Sequence, residues 1–220
     1  LPEDRWDEGW DVNEASRADY VQMVERMDDG IGKVLDKLEE EQLAENTLVI
    51  YTYDHGGRHL VDSSPLFHGF ANLWEGGIRT PLIMRLPGVI DADEVSSVPG
   101  IAMDITATIL DVTGLATNAE SLDGVSLLPI LQGGARLPAR QFYWQADFYN
   151  FGKQRAIREG NWKLIEHDNT QFLFDLAESP DERDNQYYRR QDIANRLRAA
   201  LDQWQSNVNE RRSGIPDLIE

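Results

Sequence analysis

The 220-residue chain contains no cysteine, which excludes a disulfide framework, a thiolate metal site and a cysteine nucleophile. Basic residues are scarce as well. The chain has 21 Lys and Arg against 39 Asp and Glu, which gives a formal net charge of -18 at pH 7. Because nucleic acid phosphates would be repelled, we expect no nucleic-acid partner. A metal ion or a few local cations can still create a pocket for a small anion.

Long hydrophobic runs are also lacking. No apolar stretch reaches 18 residues and no basic segment leads into an apolar one, so we expect no membrane span. Secretion or periplasmic export is compatible with the sequence, and the localisation stays open. Hydrophobic residues make up 41% of the chain, which predicts a packed core. The chain begins Leu-Pro-Glu-Asp rather than Met, and we expect it to be part of something longer or a processed product.

The most informative stretch is TLVIYTYDHGG at residues 47–57. Its nearly continuous apolar run predicts a buried strand. Asp54 and His55 follow where that strand ends, and ligands of open α/β sheets bind just outside such strand ends. A carboxylate beside an imidazole is a candidate for half of a metal site. The alternative is an ordinary turn with an exposed histidine.

The loop at residues 58–72 carries further polar candidates. His59 and His68 could bind an anion or transfer a proton, although exposed loop histidines are the alternative for each. Ser63 and Ser64 have no G-x-S-x-G elbow around them, so the pattern does not indicate a serine nucleophile.

A W-E-G-G-I-R segment at residues 74–79 follows this loop. Its glycines indicate positive φ or close contact with neighbouring backbone. Arg79 could bind an anion, but we favour an ion pair in which it anchors Glu75.

Periodicity predicts the remaining elements. Helices are expected at 13–41, 101–112, 127–131 and 191–204, and strands at 47–53, 82–86 and 95–98, followed by about four short antiparallel strands between 141 and 176. Ser16 and Asp19 have the spacing of a capping box at the first helix. Gly30 and Gly32 lie within that helix and could allow it to approach a sheet closely. A boundary is expected near residues 131–140.

The order of several segments resembles one enzyme family. These segments are NTLVI with DHGG at 46–57, PLFH at 65–68, WEGGIRTP at 74–81, LDGVSL at 122–127 and AIREGNWKL at 156–164. Together they resemble the C-terminal half of the formylglycine-dependent sulfatases, a branch of the alkaline-phosphatase superfamily. The likeness covers nearly the whole chain.

The resemblance implies an α/β fold in which a sheet is flanked by helices. Residues 1–134 would form part of the alkaline-phosphatase-like core, and residues 135–220 a small C-terminal subdomain of about four antiparallel strands and one helix. The implied activity is hydrolysis of sulfate esters on a sulfated small molecule or glycan. Hydrolysis of phosphate or phosphonate esters on the same fold is one alternative, and a non-catalytic binding protein is another.

The resemblance also assigns residues. Asp54 and His55 would be ligands of a divalent cation, calcium first, with manganese or zinc as alternatives because His55 stands where the family usually has Asn. Phe70 occupies the position of a family lysine, so His68 or Arg58 would have to supply the sulfate-binding charge.

The nucleophile motif C/S-x-P-S-R, which carries formylglycine, does not occur in these 220 residues. We therefore expect the chain alone to be inactive, with no complete catalytic set. It should associate with a complementary N-terminal half or with a second copy.

Overall fold

The computed structural model describes residues 15–58, 60–115, 122–133, 137–148 and 151–213. Its helices are α1 (Arg17–Glu40), α2 (Glu75–Ile78), α3 (Met103–Val112), α4 (Leu128–Leu131) and α5 (Gln191–Ser213). Its strands are β1 (Val49–Thr52), β2 (Leu82–Arg85), β3 (Gln141–Phe148), β4 (Gly152–Glu159), β5 (Trp162–His167) and β6 (Thr170–Asp175). None of the helices in these ranges combines the length and apolarity needed to cross a bilayer.

Helix α1 begins at the predicted capping box. The Ser16 hydroxyl accepts from the Asp19 backbone N–H, and the Asp19 carboxylate accepts from the Ser16 N–H at 2.8 Å. The capping prediction is confirmed, although the helix starts at Arg17 rather than at residue 13. No residue of α1 is buried, and a Cβ added at Gly30 would meet nothing within 4 Å. The expected close approach of the helix to a sheet is therefore wrong for the described residues.

Strands β1 and β2 form an antiparallel pair in which Val49 lies opposite Arg85 and Thr52 opposite Leu82. The prediction that β1 is buried is wrong: the strand is half-buried and Thr52 is exposed. The reason is that, in the described ranges, β1 has a single partner strand and forms a two-stranded sheet.

The four remaining strands form an antiparallel meander in the order β3-β4-β5-β6, as predicted. Side chains alternate between its two faces, as the strand period requires. One face packs against α5 through Ile157, Leu164, Leu173, Ala194, Leu197 and Leu201. The other face packs against residues 73–74 through Ala156, Ile165 and Phe174. The loop before α2 is thus part of the core of this sheet.

A buried ion pair joins α3 to the start of β3. Both oxygens of the fully buried Asp104 carboxylate accept from the Arg140 guanidinium, at 2.6 and 2.5 Å. Bidentate geometry of this kind is among the stronger charged contacts. The predicted strand at 95–98 does not form, and these residues are irregular. Helix α3 ends, as predicted, before Gly114, whose φ is +67°.

Two glycines in open space allow a matched test of backbone conformation. Gly30 lies within α1 and Gly88 has a φ of +74°, and an added Cβ would meet nothing within 4 Å at either position. Gly30→Ala should raise the free energy of unfolding by about 0.5–1 kcal/mol, because glycine disfavours helix interiors. Gly88→Ala should lower it by about 1–2 kcal/mol, because L-residues disfavour positive φ. Urea denaturation measures both, and equal effects of the same sign would contradict the expectation.

Candidate functional site

The turn after β1 is held against α2 by backbone alone. The Gly56 N–H donates to the Gly77 carbonyl at 2.8 Å, and a Cβ on Gly56 would lie 1.8 Å from the Gly76 carbonyl oxygen. A Cβ on Gly76 would lie within 2.4 Å of the carbonyl oxygens of Phe67 and His68. Close contact, rather than positive φ, is therefore the reason for these glycines. It fixes the DHGG turn to the WEGG segment.

Asp54 and His55 present two potential ligand atoms on this turn. The His55 Nδ1 lies 2.8 Å from the Gly56 carbonyl oxygen, which can only accept, so Nδ1 carries the proton. In the neutral imidazole, Nε2 then has its lone pair free, 3.4 Å from Asp54 Oδ2. The Asp54 side chain is 84% exposed, so its carboxylate is open to an ion.

This donor pair fits a divalent cation. A backbone acceptor that fixes the tautomer of a ligating histidine is the usual arrangement at metal sites. The pair is not a complete site, because the described residues contain no cluster of three or more His, Asp or Glu side chains able to hold a metal. Further ligands have to come from other residues or from water.

Phe70 and Arg58 lie beside His55. The Phe70 ring centroid is 4.6 Å from that of His55, and the Arg58 guanidinium carbon lies 5.1 Å from the centre of the Phe70 ring. The Phe70 N–H donates to the Gly57 carbonyl at 2.8 Å, which ties the ring to the DHGG turn. Arg58 is exposed and its guanidinium lies over the Phe70 ring, so its charge is available to an anion.

The other sequence candidates lie elsewhere. The His68 ring contacts Phe67 and Trp74, at centroid distances of 4.1 and 5.0 Å. Burial lowers the pKa of His68, and the neighbouring His167 lowers it further. His59 lies outside the described residues. The structure thus brings Arg58 and Phe70 to the Asp54–His55 pair and gives His68 a different set of ring contacts.

A buried charge cluster holds α2, and sequence inspection missed it. The Lys163 ammonium, fully buried on β5, lies 2.8 Å from a carboxylate oxygen of Glu75 and 2.8 Å from one of Glu182. Arg158 lies 3.7 Å from the second oxygen of Glu75. The predicted pairing of Arg79 with Glu75 is wrong: Arg79 is exposed, and Lys163 and Arg158 take its place.

Glu182 completes the cluster by accepting the Glu75 backbone N–H at 2.5 Å. Burial raises the pKa of the Glu182 carboxyl, although the Lys163 charge opposes this shift. Its Oε1, despite its proximity to the ammonium, makes no hydrogen bond of good geometry. Two carboxylates therefore share one fully buried lysine, and its removal would leave Glu182 without a cation and Glu75 with only the more distant Arg158.

Comparison with known proteins now identifies the family. The Sulfatase family model matches residues 3–115, and a second model, N-sulphoglucosamine sulphohydrolase, C-terminal, matches residues 68–207. The chain belongs to the sulfatase family. The expected resemblance is therefore confirmed, and so is the α/β fold that it implied.

Curated relatives agree with this sulfatase assignment. Human arylsulfatase H is 38% identical over 135 residues, covering 56% of this chain and 24% of the relative. Human N-acetylgalactosamine-6-sulfatase is 33% identical over 140 residues, covering 60% and 27%, and mouse steryl-sulfatase is 32% identical over 157 residues, covering 66% and 25%. The aligned part of this chain thus spans about a quarter of each of these relatives.

Solved structures share the fold. The complex of Ps i-CgsB with k-i-k-neocarrahexaose superposes with a TM-score of 0.78 at 22% identity, covering 94% of this chain and 50% of that one. The complex of BT4656 with its substrate D-glucosamine-2-N,6-O-disulfate gives 0.73 at 27% identity, covering 92% and 42%. Phosphonate monoester hydrolase SpPMH from Silicibacter pomeroyi gives 0.60 at 25% identity, covering 84% and 38%.

Removal of the buried ammonium tests the charge cluster. Lys163→Met should lower the free energy of unfolding by about 3–5 kcal/mol, because it leaves the buried Glu182 without a cation and Glu75 with only Arg158. Lys153→Met is the matched control, since Lys153 is 81% exposed and lies 3.9 Å from Asp147; it should leave stability nearly unchanged. Denaturant titration at neutral pH compares the two variants. Similar stabilities for both would show that the cluster does not hold the fold.

Proposed function

We propose that the natural protein hydrolyses sulfate esters with a divalent cation held in part by Asp54 and His55. The observation that carries the proposal is the placement of the pair: His55 Nδ1 faces the Gly56 carbonyl, and Nε2 lies 3.4 Å from an exposed carboxylate oxygen of Asp54. Membership of the sulfatase family supports the same chemistry. The cation would neutralise sulfate oxygens and the negative charge that develops on them.

Calcium is the first choice for this cation, in keeping with the family resemblance. The imidazole of His55 also suits manganese or zinc, since nitrogen ligands favour such ions over calcium. These residues would bind and orient, and the nucleophile would come from outside them, because the 220 residues contain no C/S-x-P-S-R motif. The chain by itself should therefore turn over no substrate.

Arg58 is our candidate for the sulfate-binding cation. Its guanidinium lies over Phe70, whose ring packs on His55, and Phe70 occupies the position where the family resemblance leads us to expect lysine. A planar guanidinium can donate two parallel hydrogen bonds to a sulfate, which strengthens and orients the contact. His68 is the alternative, but its lowered pKa makes it a weaker source of positive charge near neutral pH.

For the substrate we propose a sulfated glycan. One relative is named N-acetylgalactosamine-6-sulfatase, and a similar solved structure holds D-glucosamine-2-N,6-O-disulfate as its substrate. Both names indicate sulfated sugars. We favour this class over the steroid and aryl sulfates that the names of other relatives indicate. Phosphonate ester hydrolysis is the second candidate, because the likeness extends to a phosphonate monoester hydrolase. Both esters present an anion to the same donor pair, so the natural nucleophile would decide between them.

We further propose that residues 1–134 and 135–220 are two subdomains. The exposed apolar side chains of α1 and β2, among them Met27, Val34 and Ile83, are candidates for a protein contact. A complementary N-terminal sulfatase segment is the occupant we favour, with a second copy of the chain as the alternative.

Substitution of the donor pair tests the metal proposal. Asp54→Asn and His55→Ala in the natural protein should each weaken calcium or manganese binding by at least about 10–100-fold, because the first removes the negative charge of one ligand and the second removes the other ligand. Asp62→Asn, an exposed carboxylate in the same loop, is the control and should retain the metal. Elemental analysis after dialysis measures the bound ion, and 4-nitrophenyl sulfate turnover measures activity. Wild-type metal content in both ligand variants would refute the assignment.

A rescue experiment tests Arg58. Arg58→Ala should lower kcat/KM for a sulfated monosaccharide by about 100-fold or more, the usual cost of one charged donor at the reacting group. Adding Phe70→Lys to Arg58→Ala should restore part of the loss, because it returns a cation to the expected position. Arg79→Ala, at an exposed arginine outside the cluster, should change nothing. Equal activity of Arg58→Ala and the wild type, at equal metal content, would exclude Arg58 from the site.

A further inference from the structure

We infer that a cleft beside the candidate site binds an uncharged sugar ring of the glycan, next to the sulfated unit. The cleft has a volume of about 380 Å³ and lies between the loop before α2, strands β5 and β6, and the turn before α5. Its lining includes Phe67, His68, Trp74, His167, Phe172 and Arg183. The volume falls within the range of small-molecule sites. The position of this sugar next to the sulfated unit depends on the proposed function, whereas sugar binding in the cleft does not.

Aromatic rings form the walls of the cleft. Trp74 is the buried centre, with ring centroids at 5.0 Å to His68, 5.6 Å to His167 and 5.2 Å to Phe172. Phe67 also lines the cleft, is 39% exposed and has its ring centroid 4.1 Å from that of His68. The negative face of an aromatic ring attracts the polarised C–H bonds on the apolar face of a sugar. An exposed phenylalanine beside a pocket is therefore a suitable platform for a sugar ring.

The polar groups of the cleft suit hydroxyls better than an anion. His167 Nε2 lies 2.7 Å from the Phe151 carbonyl, which can only accept, so this nitrogen donates and Nδ1 is left for another partner. Partial burial lowers the pKa of His68, and in its neutral form the ring offers one donor and one acceptor. Neutral imidazoles can exchange hydrogen bonds with hydroxyl groups in both directions.

The charged groups of the cleft are already engaged. The Glu182 carboxylate is bound in the buried cluster around Lys163. The Arg183 guanidinium lies 3.6 Å from the Asp181 carboxylate, which reduces its attraction for an anion. An uncharged sugar ring, rather than a second sulfate, therefore matches the lining.

One loop connects the cleft to the donor pair. His68 lines the cleft, and Phe70, two residues later, packs on His55. Two residues of extended chain span at most about 7 Å, so the backbone positions of His68 and Phe70 are close neighbours. A sugar bound in the cleft would thus sit beside the unit whose ester reaches Asp54 and His55, and longer glycans would bind better than monosaccharides.

Binding of neutral sugars to the natural protein tests the inference without requiring turnover. Lactose and N-acetyllactosamine, titrated by calorimetry, should bind with millimolar affinity. Phe67→Ala should weaken that binding about fivefold, the effect of losing one aromatic contact. Tyr188→Ala is the control: it removes an aromatic ring that is 85% exposed and does not line the cleft, and it should bind like the wild type. Unchanged metal content and melting temperature would show that Phe67→Ala is folded.

A kinetic comparison places the cleft relative to the reacting ester. Phe67→Ala should raise KM for a sulfated disaccharide and leave KM for the sulfated monosaccharide unchanged, with kcat unaffected for both. No detectable binding of either neutral sugar, or equal binding by the wild type and Phe67→Ala, would overturn the cleft even if hydrolysis is intact. Sugar binding that depends on Phe67 in a protein without sulfatase activity would support the cleft and refute the proposed function.

Discussion

The ammonium of Lys163 constrains much of this structure. It is fully buried between Glu75 of α2 and Glu182 of the turn before α5, and it extends from β5. An unpaired charge in such a place would cost several kcal/mol, so the lysine is tolerable only when both carboxylates reach it. Those carboxylates come from segments 88 and 19 residues away from it in sequence. The cluster can therefore form only when α2, the four-stranded sheet and the later turn are assembled together.

This assembly sets the position of the candidate ligands. Glu75 begins α2, and the Gly77 carbonyl of the same short helix accepts the Gly56 N–H immediately after His55. Because the glycines on both sides leave no room for a Cβ, the turn and the helix cannot slide past each other freely. The C-terminal sheet thus supports the Asp54–His55 turn. The two proposed subdomains, residues 1–134 and 135–220, would therefore pack together around Leu73 and Trp74.

Local interactions explain what the sequence could predict. The capping box joins Ser16 and Asp19 within one helical turn, and the four antiparallel strands follow one another through short turns. Adjacent residues such as Asp54 and His55 are necessarily close. The partner of Glu75 was not predictable in this way, since the nearby Arg79 is the obvious cation and Lys163 lies on a strand 88 residues later. The burial of β1 also failed as a prediction, because burial depends on which elements cover a strand and not on its own apolar run.

The proposed site would keep its charge while its residues change, because Arg58 would act in place of the lysine that the family resemblance leads us to expect at position 70. A phenyl ring cannot bind sulfate, but it can pack on His55 and hold the Arg58 guanidinium above its face. The excess of acidic residues, with a net charge of -18, makes such a cation more important, because the surrounding field repels an anionic ester. Arginine and lysine carry similar rotamer entropy, but the planar guanidinium is pre-organised and loses less of it for each hydrogen bond formed. In the Phe70–Arg58 pair, an oriented guanidinium would therefore replace the flexible ammonium of the expected lysine. This guanidinium would favour esters whose oxygens can accept two parallel hydrogen bonds.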